Sequence, residues 1–160
     1  MANGVVNCTT EQEIQYVERA LRFTTKSVMA VAARGQDWWA KPEADVYWTV
    51  YGNAAQRLNI RRVFLVQGAL NDSVKKVLDR LVSLDMETFW TPIEHVPVRL
   101  RMPIVLFDGK LLHRTSSSQQ VGTDHADFTD SSRQIEQAQE QLNAIFELPT
   151  TQKWLGGERR

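Results

Sequence analysis

Residues 102–112, Met-Pro-Ile-Val-Leu-Phe-Asp-Gly-Lys-Leu-Leu, constrain the fold of this chain more than any other stretch. An unbroken apolar run of strand length, rich in β-branched and aromatic residues, reaches Asp108-Gly109 and then resumes. Such a run between turn residues reads as a buried strand. Asp-Gly supplies the backbone freedom of a two-residue hairpin turn. The expected hairpin pairs a strand at Ile104–Phe107 with one at Lys110–Ser116. Ligands of α/β sheets gather at strand ends. Asp108, Lys110, His113, Arg114 and the Thr115-Ser116-Ser117-Ser118 run all lie on or beside this hairpin.

The remaining elements follow from periodicity. Thr10-x-x-Glu13 reads as a capping box opening a helix whose apolar stripe is Ile14, Val17 and Leu21, ending near Phe23. Ser27 to Ala33 reads as a buried strand, and Gly35 to Lys41 as a loop. A second helix starts near Pro42, carries Tyr47, Val50, Tyr51, Ala54, Ala55 and Leu58 on its core face, and is stopped by Asn59. Arg61 to Gln67 is the next strand. Asn71 or Asp72 caps a third helix with Val74, Val77, Leu78 and Leu81 inside. Met86 to Trp90 is a short strand before a Pro-punctuated segment, Thr91 to Pro97. After the hairpin, Gly122 to Asp127 reads as polar loop. Thr129 or Asp130 opens a long last helix that buries Ile135, Ala138, Leu142, Ile145 and Phe146. The order α-β-α-β-α-β-β-β-α favours parallel pairing through right-handed crossovers, with an antiparallel portion added by the hairpin. The expectation is one α/β domain over residues 1–148, a mixed β-sheet flanked by helices. Residues 149–160 form a tail from which Trp154-Leu155 can dock.

Bulk properties narrow the function classes. Nineteen Lys and Arg balance nineteen Asp and Glu, so the chain lacks the basic excess typical of duplex-binding domains. A single cysteine, Cys8, excludes an internal disulfide framework and a Cys-based zinc cluster. With no signal-peptide pattern and no apolar run of spanning length, the expected location is the cytoplasm, with no membrane span.

The hairpin and the strands before it resemble one repeat of the phospholipase D-like superfamily. Ile104-Val105-Leu106-Phe107-Asp108-Gly109-Lys110 is similar to the family's apolar strand and Asp-Gly-Lys turn, and Thr115-Ser116 falls near its small-residue position. Asn59 to Val66 and Leu84-Asp85-Met86-Glu87 resemble the earlier strands, so the likeness covers roughly 11–146. In the family a His-x-Lys pair precedes that Asp. The His is the nucleophile or general acid, and the Lys binds phosphate. Here the His position holds Arg101 and the Lys position Pro103. A guanidinium stays protonated and is no nucleophile, and proline has no donor. The family site also needs two motifs face to face, so a single repeat would act as a homodimer. The resemblance therefore implies a phospholipase D-like fold with a degenerate active site, of the kind used in sensing or interaction.

Each candidate residue has a functional and a plainer reading. Asp108 orients a ligand, or is simply the preferred turn residue before Gly. Arg99 and Arg101, alternating on the strand that enters the hairpin, suit a phosphate or carboxylate together with Arg114, or form a solvated edge. The three histidines, His95, His113 and His125, lack the spacing of a metal site. Ser116, Ser117 and Ser118 lack a nucleophile elbow. Trp38 and Trp39 form a partner-binding surface, or a lid with one ring buried and one half exposed. Arg57, Arg61 and Arg62 are the densest basic patch, read more simply as charge near a helix end.

Taken together, the sequence points to a non-enzymatic binding or regulatory module without cofactor or metal. It would recognise a protein partner or a small anionic ligand near Arg99, Arg101, Asp108, Lys110, His113 and Arg114. Two alternatives stand beside it. One is a phosphodiesterase or nuclease working as a homodimer through His95 or His113, which requires His113 and Asp108 to converge. The other is a nucleic-acid-binding regulator using Arg57, Arg61 and Arg62.

Overall fold

The computed structural model describes residues 5–32, 36–116 and 125–156. Its strands are β1 (Val5–Thr9), β2 (Ser27–Ala32), β3 (Asn59–Val66), β4 (Glu87–Pro92), β5 (Ile104–Phe107), β6 (Leu111–Ser116), β7 (His125–Thr129) and β8 (Gln152–Lys153). The helices are α1 (Thr10–Phe23), α2 (Gln36–Trp39), α3 (Asp45–Ala55), α4 (Asp72–Ser83) and α5 (Ser132–Phe146). All eight strands join one sheet in the order β1-β7-β6-β5-β2-β3-β4-β8. β2, β3 and β4 run parallel, and β5, β6, β7, β1 and β8 are added antiparallel. This is the expected mixed α/β sheet flanked by helices.

Side chains alternate across the sheet with a period of two, and β3 shows the consequence most clearly. Ile60, Phe64 and Val66 face a core shared with α1, α3 and α4, while Val63 and Leu65 face a second core filled by Ala138, Leu142 and Ile145 of α5. α4 is built as its sequence predicts. The Asn71 side chain accepts from the Val74 amide at 3.0 Å, and Val74, Val77, Leu78 and Leu81 are buried. Each such side chain contributes about 1.5–3 kcal/mol of burial.

Several expectations are corrected. The capping box of α1 is Thr9 with Gln12, one residue earlier than predicted, each donating a backbone N–H to the other's side chain at 3.3 Å. That shift frees Glu13 to turn inward. α2 replaces part of the predicted 35–41 loop, because Trp39 drops into the core. On α3, Trp48 is buried in place of Tyr47 and Val50, which are half-buried. Asn59 does not stop that helix but opens β3, donating its amide to the Lys26 carbonyl. The first element among the described residues is a strand, β1, rather than the expected helix. β7 takes up His125, Ala126 and Asp127, predicted as loop, because Ala126 and Phe128 alternate inward and pair with Cys8 and Val6 of β1. Neither Thr129 nor Asp130 caps α5; the cap residue is Ser131, whose amide donates to the Thr129 hydroxyl. Lys110 belongs to the turn rather than to β6.

The tail holds the far edge. Trp154 is buried, its backbone amide donates to the Thr88 carbonyl, and its indole donates to Asp79, each at 2.8 Å. Ser117, Ser118, Gly122, Asp124 and Gly157 lie outside the described residues. Among the described residues no helix is long and apolar enough to cross a membrane.

Candidate functional site

A cavity of about 50 Å³ opens near the carboxyl end of β2, against β5 and β6 and under α1 and α3. Strand alternation delivers its polar groups. Arg62 shares a sheet face with Ile60 and Phe64, so a guanidinium enters an apolar layer and is 4% exposed. His113 lies opposite Val105, and Thr115 follows two residues on, toward the same side. Glu13 reaches in from α1 and Tyr51 from α3, while Trp39 and Pro103 complete the wall.

Two buried polar clusters result. In the first, His113 Nε2 lies 2.9 Å from Glu13 Oε1, and its Nδ1 lies 3.2 Å from the Asp127 carbonyl. The imidazole stacks on Phe128 at 4.3 Å, and the Thr115 hydroxyl donates to the same Glu13 oxygen at 3.4 Å. In the second, Arg62 lies over the rings of Tyr51 and Trp39, 4.6 and 5.2 Å from their centroids. Burial pushes the Arg62 guanidinium below its ordinary value, against the opposing influence of Tyr51. It also raises the Tyr51 phenol, with Arg62 pulling the other way. The Cys8 thiol, which donates to the Ala126 carbonyl at 3.6 Å, is raised by burial and then by the charges of Glu13 and Asp127.

The predicted ligand residues do not converge. His113 alone lines this cavity. Asp108 and Lys110 line a second one of about 470 Å³ between α1 and the hairpin, with Arg19, Tyr16 and Leu111. There the Asp108 carboxylate accepts from the backbone amides of Thr25 at 2.7 Å, Lys26 at 2.8 Å and Ser27 at 3.0 Å. Burial alone would raise its pKa, but these bonds and the Thr25 hydroxyl outweigh it and hold the group at about 2. Asp108 also takes φ of 52° beside Gly109 at 65°, so it is a turn residue and an anchor for the start of β2. Arg114 lies on the α5 side of the sheet, opposite Ile104, and donates to Asp127 at 2.8 Å. Arg99 and Arg101 are not on a strand. Arg99 sits in a single 3₁₀ turn, Val98–Leu100, and Arg101 Nε donates to the Val96 carbonyl at 2.9 Å.

The predicted basic patch disperses for the same reasons. Arg57 donates to the Thr24 carbonyl at 2.7 Å and also to that of Leu21, closing the end of α1. Arg61 projects toward α5, over Phe89 and Phe146. Arg62 projects the opposite way, into the cavity. The sequence carried a signal for this: Ile60-x-Arg62-x-Phe64 has an inward spacing that a surface reading overlooks. Trp39 is buried and Trp38 half-buried, packed edge-on at 4.9 Å. His95 is exposed, and among the described residues no group of His, Cys, Asp and Glu is arranged to hold a metal.

Comparison with known proteins places this geometry. No family model and no curated protein sequence matches the chain. Solved structures do. Nuc, a phospholipase D family member from Salmonella typhimurium, matches with a TM-score of 0.66 at 10% identity, over 94% of this chain and 97% of that one. Phosphatidylserine synthase from Haemophilus influenzae matches with a TM-score of 0.66 at 12% identity, over 95% of this chain and 39% of that one. TrmBL2, an archaeal chromatin protein described as having a novel mode of DNA binding, matches with a TM-score of 0.61 at 11% identity. That match covers 94% of this chain and 55% of that one, so the chain spans about half the length of the chromatin protein. At such identities the likeness is one of fold, and the fold is phospholipase D-like.

Proposed function

We propose that this chain is a non-catalytic binding domain on a phospholipase D-like fold, recognising a small anionic ligand as a homodimer. The observation that carries the reading is the state of His113, the one described histidine lining the cavity. Both ring nitrogens are already engaged, with Glu13 and with the Asp127 carbonyl, and the ring is stacked on Phe128. A nucleophile or general acid must instead present a free nitrogen to the substrate. Pro103, at the position that holds the phosphate-binding lysine in the resembling family, lines the same cavity and brings no charge. Arg101 is held by a backbone carbonyl. The second candidate acid-base group, Asp108, faces a different cavity.

The test is hydrolysis of bis(p-nitrophenyl) phosphate and of single-stranded DNA by the purified chain. The expected result is no turnover above a His113→Asn control. Turnover that this substitution removes would overturn the reading. Light scattering across a dilution series tests the dimer, and a monomer at every concentration would reject that part.

A further inference from the structure

The cavity wall carries donors without acceptors. Among the described residues, Arg62 Nε, Arg62 Nη2 and Trp39 Nε1 are buried nitrogens with no hydrogen-bond partner. All belong to residues lining this one cavity. The other orphaned side-chain atoms are oxygens, on Asp130 and Gln134, and lie outside it. Buried polar groups are almost always satisfied, and a buried guanidinium left short of acceptors is costly. Nε and Nη2 are also the pair of nitrogens that presents two parallel N–H groups to two oxygens of one anion. The indole of Trp39 adds a third donor next to the Arg62 side chain, whose Cζ lies 5.2 Å from the Trp39 ring.

We infer that this cavity is an oxyanion site, in which the Arg62 fork takes two oxygens of a phosphoryl group and the Trp39 indole takes a third. The inference deepens the binding reading by naming the ligand chemistry, and it concerns the same cavity. The volume, about 50 Å³, admits an anionic head group and leaves the rest of the ligand outside, against Trp38 and Tyr47. Both of these rings are half-buried, and Trp38 packs edge-on against Tyr47 at 5.4 Å. The fork nitrogens are shielded as the cavity stands. An anion reaching them comes to lie beside Trp38 and Trp39, which line the cavity, so tryptophan emission reports its arrival. A planar carboxylate set on the fork has no third oxygen to direct at the indole, which makes acetate the discriminating competitor.

The experiment is titration of the full chain with inorganic phosphate and, separately, with acetate, read by tryptophan emission and by melting temperature. Potassium chloride at matched ionic strength is the blank. Phosphate is expected to saturate and to bind about tenfold more tightly than acetate, the effect of one further donor to a charged group. Trp39→Phe keeps the ring, loses the donor and should weaken phosphate about tenfold while leaving acetate unchanged. Arg62→Met should fold as well as the parent, since an apolar isostere often replaces a buried charge without loss, and should show no saturation. If it fails to fold, Arg62→Lys keeps the charge without the fork, and a loss of about tenfold or more upholds the site. No saturable response of the parent to phosphate overturns the inference, as does an Arg62 variant that binds equally well. Acetate binding more tightly than phosphate overturns the phosphoryl assignment. Catalytic turnover would reject the non-catalytic reading and leave this site standing.

Discussion

Glu13 and His113 are 100 residues apart in the chain and meet in the interior at 2.9 Å. The arrangement fixes which ring nitrogen of His113 faces which neighbour. The Asp127 carbonyl can only accept, so His113 Nδ1 donates to it. Nε2 is left facing the Glu13 oxygen, to which the Thr115 hydroxyl also donates at 3.4 Å.

Removing Glu13 takes away the partner of His113 Nε2. Glu13→Ala is expected to cost about 3 kcal/mol or more in urea unfolding, the range for breaking a buried pair. Glu13→Gln can donate its amide to a neutral Nε2 and should stay within about 1 kcal/mol of the parent. Equal midpoints for the alanine variant and the parent would show that the contact is not formed in solution.

The Asp108 carboxylate makes acid stability readable at one residue. Its pKa falls from an ordinary 3.8 to about 2 on folding, so the folded state binds the proton more weakly than the unfolded chain. The associated stability is present above about pH 5, declines as the pH falls through the unfolded value, and is gone below the folded one. Discounted for its partial exposure to solvent, it is about 1–2 kcal/mol. Asp108→Asn, which tolerates the positive φ, should be weaker than the parent by that amount at pH 7 and should converge with it as the pH falls below about 2. A difference that does not change with pH would remove the carboxylate as its source.

Arg57 ties the end of α1 to the turn before β3 through the carbonyls of Thr24 and Leu21. Arg57→Met should lower stability by about 1 kcal/mol, from lost charge-assisted bonds to a helix C-terminus. Its elution from a heparin column should match that of the parent. Earlier elution with unchanged stability would return the residue to a nucleic-acid surface.

Trp154 anchors β8 against β4 through its ring and two hydrogen bonds. Trp154→Ala should cost about 3 kcal/mol or more, the range for truncating a large buried aromatic side chain. Trp154→Phe loses the indole bond to Asp79 and should cost about 1 kcal/mol. If both substitutions proved neutral in thermal unfolding, the tail would not be docked.

What could be read from the chain alone was local. α4 was legible because its cap, Asn71, and its stripe, Val74 to Leu81, are specified within a dozen residues. The β5–β6 hairpin was legible because Asp108-Gly109 enforces it. β1 and β7 were not, since five-residue strands with polar outward positions carry little pattern until Val6 meets Phe128. The site was harder still. Glu13 looks like a capping residue until His113 is seen beside it, and Arg62 looks like half of a basic pair until Trp39 and Tyr51 enclose it. The residues that lie together in sequence, Asp108 to Arg114, are dispersed because a hairpin sends alternate side chains to opposite faces.

The strand order also governs how the molecule can be handled. β1 and β8 occupy the two outer positions of an eight-stranded sheet. Seven inter-strand steps separate them, roughly 30 Å at the usual spacing. A tether running from β1 to β8 across that span would need about ten extended residues. Dyes attached to exposed positions of β1 and β8 would stand on opposite flanks, too far apart to touch and well placed for energy-transfer measurements.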